Sequence, residues 1–157
     1  MPGDIRRFNI DIRLACEAYG ESNVFWPRDG SFIVIENFQL PSNFRSRQTN
    51  MIVLVPENYG HNGCYRDIFV DPGLELLDAS GRDYRLLDQQ LHGFREYPYS
   101  TMSPEAKRIF RERNWFYLCL HDKDPKSSLL NYLFKVKVFL GNPYKDWKSI
   151  ADGYRKA

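Results

Sequence analysis

From Leu129 to Leu140 the chain carries two apolar stripes side by side. Leu129, Leu133, Val136 and Leu140 recur at helical spacing, and Leu130, Phe134 and Val138 run beside them. A helix that is apolar over so wide an arc has to be covered over that arc, and a sheet is broad enough to do it. Ser127 or Ser128 supplies the N-cap, and Gly141 and Pro143 end the helix. The spacing therefore predicts a buried helix against a sheet, and the strands of that sheet have to lie upstream.

Upstream the pattern turns extended. Ser31–Phe38 is β-branched and aromatic after an Asp29-Gly30 turn, Asn50–Val55 is an apolar run closed by Pro56, and Tyr65–Val70 stops at Asp71-Pro72-Gly73. Shorter extended pieces are expected at Leu74–Leu77 and Tyr84–Leu87, and another apolar run spans Trp115–His121. The first segment reads two ways. Phe8, Ile10, Ile12, Leu14 and Cys16 alternate like a strand, whereas Ile5, Phe8, Ile12, Ala15/Cys16 and Tyr19 recur like a helix. Asp4 as N-cap and Gly20 as stop decide for the helix. Ser103-Pro104-Glu105 opens a further helix to about Arg113, and Lys145–Lys156 forms a last short one. Strands grouped together and helices grouped after them make this an α+β chain, with an N-terminal helix and an antiparallel β-meander in one domain over 1–157.

Composition narrows the function. The 22 basic and 20 acidic residues nearly cancel, and Arg6-Arg7, Arg45/Arg47, Arg108/Arg111/Arg113 and Lys135/Lys137 are scattered among acids. Nothing there points to nucleic acid. No apolar run approaches the length of a membrane span, no secretory leader is visible, and three cysteines make no disulfide framework. The expectation is a reduced, cytoplasmic protein.

Trp115–His121 carries the chemistry. As a strand it puts Phe116, Leu118 and Leu120 on one apolar face and Trp115, Tyr117, Cys119 and His121 on the other. A thiol two residues from an imidazole on the same face is one way to make a usable thiolate. The competing reading is a buried core cysteine, since free cysteine is among the most buried residue types. Cys16, on the stripe of the first helix, reads as core. His61-x-x-Cys64 with Cys119-x-His121 offers a zinc set, although its second pair is more tightly spaced than finger-type sites use.

Cys119-Leu120, Pro125, the Leu129–Leu140 helix, Asn142-Pro143 and Asp146 together resemble the catalytic end of ubiquitin-conjugating enzymes. Leu40-Pro41, Val53–Pro56 with Tyr59, and Phe69 with Asp71-Pro72 are similar to that family's meander, its Pro-x-x-Tyr flap and the turn ending its last strand. The likeness spans about 30–147 and is greatest to divergent bacterial members of anti-phage conjugation operons. Gly60 follows Tyr59 where the family has proline, Gly73 takes the place of the turn's asparagine, and 74–114 is an insertion. The resemblance implies the UBC-like fold and no cofactor. It also implies that Cys119 accepts a ubiquitin-like protein from an activating enzyme as a thioester and passes it to an amine of a target protein. In that scheme His121 assists deprotonation or the oxyanion, Asp122 (or Asp124) orients the amine, and Arg6, Arg7 and Arg13 of the first helix dock the activating enzyme. For both acids the competing role is to cap the turn before the last helix, and for the arginines a solvated face. The alternative from another class is a catalytically inert UBC-like or RWD-like binding module for the same partners.

Overall fold

A computed structural model of the chain describes residues 4–57, 59, 65–78, 80–87, 115–124, 126–143 and 147; of Arg85 and Cys119 only the backbone is described. The expected helix at 103–113 and nearly all of the expected helix at 145–156 lie outside these residues.

The first segment is the helix α1, Ile5–Tyr19. The Asp4 carboxylate accepts from the Arg7 amide at 3.0 Å, and Gly20 ends the helix at φ +92°, its amide donating to the Cys16 carbonyl. Phe8, Asp11, Ile12 and Ala15 are its buried residues. The expected stripe shifts by a fraction of a turn: Ile5 is exposed, and Asp11 takes a place in the interior.

After a short 3₁₀ turn the chain runs through β1 (Val24–Phe25), β2 (Phe32–Gln39), β3 (Gln48–Leu54) and β4 (Asp67–Val70), each antiparallel to the one before. β5 (Glu75–Leu77) and β6 (Tyr84–Leu86) form a separate hairpin, and β7 (Phe116–Cys119) returns to pair antiparallel with β4. The main sheet therefore has the order β1-β2-β3-β4-β7. β2 slips register between Ile35 and Phe38, where Asn37 adopts φ +56°, a left-handed conformation that asparagine tolerates better than most residues. The final helix, α2, is Leu129–Gly141, with the Ser128 hydroxyl accepting from the Asn131 amide. The described residues are thus α+β, with a five-stranded antiparallel sheet and two helices.

Register explains the core. Val24, Ile35, Met51, Val70 and Phe116 are cross-strand partners in one row, and Ile33, Val53, Ile68 and Leu118 in another. Both rows belong to the cluster that also takes Phe8 and Ile12 of α1 and Leu129, Leu133 and Val136 of α2. The pleat turns a third row, Phe25, Val34, Ile52, Phe69 and Tyr117, to the opposite face. There Phe32, Ile52, Phe69 and Trp115 form a second buried cluster. Both faces of the sheet are therefore apolar.

Two expectations change. Trp115, read as one of the handles on an outward face, is buried in the second cluster. On α2 the stripe Leu129, Leu133, Val136 and Leu140 is buried as expected, but Phe134 is 53% exposed and Leu130 and Val138 are half-buried. The buried arc extends the other way, through Tyr132, Lys135 and Phe139. Lys135 is tolerated there because it finds a carboxylate inside.

Candidate functional site at the end of strand β7

Residue 119 is the last of β7 and stands opposite Asp67, the first residue of β4. Asp67 is largely buried, and its carboxylate has two partners. The Tyr117 hydroxyl donates to Oδ1, and Arg66 Nε lies 3.4 Å from Oδ2. Arg66 is mostly solvent-exposed, so that ion pair is a weak one. His121 is exposed at the surface just beyond the strand. Partial desolvation, and secondarily the Arg66 charge, lower its pKa from the usual 6.5, with Asp67 opposing. At neutral pH its imidazole is uncharged and can accept a proton.

The segment that follows is held at every residue. The Leu120 amide donates to the Arg66 carbonyl at 3.0 Å, and its carbonyl accepts from the Tyr132 hydroxyl at 2.8 Å. Trp147 Nε1 donates to the His121 carbonyl at 2.8 Å, and the Trp147 ring meets Tyr132 and Phe139 edge-on. The Asp122 amide donates to the Tyr65 carbonyl at 2.9 Å. A segment fixed through its backbone on both sides holds its neighbour in place with little freedom left to lose.

The resemblance implies that Asp122 orients an incoming amine. Its carboxylate instead receives Lys135 Nζ at 3.0 and 3.2 Å and the Asp124 amide at 3.0 Å, with both side chains of the ion pair at most 1% exposed. An amine already occupies that carboxylate, and it belongs to the protein itself. Asp124 accepts from the Lys126 amide at 2.9 Å, the turn-capping role that was its competing reading.

The three arginines of α1 part company. Arg6 and Arg13 are exposed. Arg7 works inside the fold: its Nη2 donates to the Ser127 carbonyl at 2.9 Å, and its guanidinium lies 5.1 Å from the Tyr59 ring centroid. Beneath it the buried Asp11 Oδ2 accepts from the Tyr59 hydroxyl, from the Tyr65 hydroxyl at 3.1 Å and from the Leu129 amide at 3.1 Å. This carboxylate ties α1 to Tyr59, to Tyr65 and to the first turn of α2, where its charge also suits the helix dipole.

Sequence reasoning missed Asp11, Asp67 and Lys135. The signal for two of them was present, since Asp11 interrupts the apolar stripe of α1 and Lys135 sits between Tyr132, Val136 and Phe139 on α2. Asp67 carried no such mark. Of the residues weighed as zinc ligands, His61 and Cys64 lie outside the described residues. Among the described residues no group of three or more His, Cys, Asp or Glu side chains could hold a metal ion, and no helix is long and apolar enough to cross a membrane. Compared with family models, with curated proteins and with solved structures, the chain matches none.

Proposed function

We propose that the chain is a ubiquitin-conjugating-enzyme-like transferase of UBC-like fold, in which Cys119 carries a ubiquitin-like protein as a thioester and yields it to an amine of a target protein. The observation that carries the reading is the position of residue 119. It ends a strand laid against the last strand of the meander, and residues 120–122 after it are each fixed by hydrogen bonds. The order supports the same reading: a helix, a four-stranded meander, the cysteine strand and a buried helix. So does the Pro56-x-x-Tyr59 flap, whose tyrosine is buried beneath Arg7.

The chemistry asks little of the protein. The thioester supplies the driving force and needs no cofactor, so the site has to position the sulfur and steady the tetrahedral oxyanion. His121, uncharged near pH 7, is the group of this segment suited to take a proton. Asp122 and Lys135 support it by holding the chain behind it. Arg6 and Arg13 remain on the exposed side of α1 for the activating enzyme, while Arg7 holds the helix to the domain.

The test is non-reducing electrophoresis after incubation with an activating enzyme, ATP and the ubiquitin-like protein it charges. A reductant-sensitive adduct that becomes a reductant-resistant ester in Cys119→Ser supports the transferase. Co-elution on a sizing column with no adduct at any time identifies an inert binding module instead.

A further inference from the structure

We infer that Trp147, Tyr132, Tyr65 and Tyr59 form a relay that carries one-electron oxidation from the surface to Tyr65, where the buried Asp11 carboxylate takes the phenol proton. The ring centroids are 6.4 Å apart from Trp147 to Tyr132, 5.4 Å from Tyr132 to Tyr65 and 4.8 Å from Tyr65 to Tyr59. Trp147 is only partly buried, whereas the three tyrosines are at most 1% exposed, so the indole is the entrance. Electron tunnelling weakens exponentially with distance, so a series of short steps outruns one long one. A phenyl ring is far harder to oxidise than an indole or a phenol, and Phe139, edge-on to Trp147, therefore offers no branch.

Proton acceptors decide where the oxidation stops. An oxidised phenol is a strong acid, so a tyrosine holds a radical only where a base takes its proton. Trp147 and Tyr132 donate to the His121 and Leu120 carbonyls, which are too weak as bases for that. The Tyr59 and Tyr65 hydroxyls both donate to Asp11 Oδ2. Burial keeps both phenols protonated at neutral pH, so the proton is there to give. The Arg7 guanidinium over the Tyr59 ring opposes loss of an electron there and leaves Tyr65 as the stopping point. The step balances. A one-electron oxidant at the surface takes an electron from the indole, which is refilled from Tyr65 by way of Tyr132. The Tyr65 O–H bond breaks, its proton bonds to Asp11 Oδ2, and a neutral phenoxyl radical remains. A low-molecular-weight thiolate, oxidised toward its disulfide, returns the electron, and Asp11 returns the proton.

The test places the oxidant at the entrance. A ruthenium(II) diimine is coordinated to the exposed His121 in the full chain carrying His61→Gln and His92→Gln, and flash-quench oxidation to ruthenium(III) starts the transfer. A phenoxyl radical is expected, read by its narrow visible absorption band and its electron paramagnetic resonance line. Tyr65→Phe keeps the ring and should lose that signal, leaving an indole radical at Trp147. Tyr59→Phe should keep the signal, and Tyr132→Phe should slow its appearance severalfold. Asp11→Asn, which keeps an oxygen for the hydroxyls but removes the base, should also stop the oxidation at the indole. Tyr65→Phe reports even if Asp11→Asn does not fold. A phenoxyl signal that Tyr65→Phe leaves unchanged, or a parent chain that yields only the indole radical, overturns the inference. Neither activating enzyme nor cargo is present, so the result stands apart from the function proposed above.

Discussion

Replacing Lys135 by methionine tests how the segment behind Cys119 is held. Methionine matches the aliphatic stem of lysine but brings no charge. The Asp122 carboxylate, wholly buried, would lose two of its three hydrogen bonds and keep only the one from the Asp124 amide. Breaking a buried pair from one side costs about 3–5 kcal/mol, because the remaining charge has neither water nor partner. In a chain of this size that lowers Tm by about 10 °C. Removing both charges, with Asp122→Leu added, leaves only the Asp124 amide short of an acceptor, about 1 kcal/mol. The double variant should therefore be more stable than Lys135→Met alone, a non-additivity of about 2 kcal/mol or more. Urea unfolding at pH 7 measures all three proteins. A Lys135→Met loss below about 1 kcal/mol, the range of exposed pairs, would refute the argument, because the pair would then be exchanging with water.

Three further outcomes are expected. Asp11→Ala strands the Tyr59 and Tyr65 hydroxyls and the Leu129 amide together, and should cost about 3 kcal/mol or more in the same assay. Burial first, and the neighbouring Asp11 after it, raise the pKa of Tyr59 and Tyr65 above the usual 10. Their contribution to stability is therefore complete below pH 10 and lost as pH rises beyond it, and absorbance at 295 nm should show both ionising only as the chain unfolds. His121 has the opposite sign of shift: its lowered pKa means the unfolded chain binds the proton first. Stability should thus fall as pH drops below about 6.5, and His121→Gln should flatten that part of the profile.

Much of the architecture was legible, and the reason is periodicity. A strand reports its period through side chains that reach the core, so β2, β3, β4 and β7 announced themselves as runs of Ile, Val, Phe and Leu within a few residues of their ends. β1 went unread because two residues carry no period. The face of β7 was half legible: Phe116, Leu118 and Leu120 are core as expected, whereas Trp115 is buried on the other side, and one strand's alternation cannot say whether a second apolar layer covers its far face. Asp122 shows the limit at the site itself. Its neighbour in the chain is the exposed His121, yet its ion-pair partner is thirteen residues away on a buried helix face. Sequence neighbours suggested a joint chemical task, and the fold separated them by burial.

That separation bears on how such a site is assembled. Apolar contacts between α2 and the sheet are numerous but weakly directional, so on their own they tolerate sliding by a fraction of a turn. Two buried carboxylates remove the tolerance. Asp11 meets the first amide of α2, and Asp122 meets Lys135 almost two turns along, so the helix is located at two points on its axis by bonds with strict geometry. Tyr132, between those points, then reaches the Leu120 carbonyl. The position of residue 119 is thus set from behind, by groups that never meet a substrate. Arg66 and His121, at the same end of the sheet, face solvent instead.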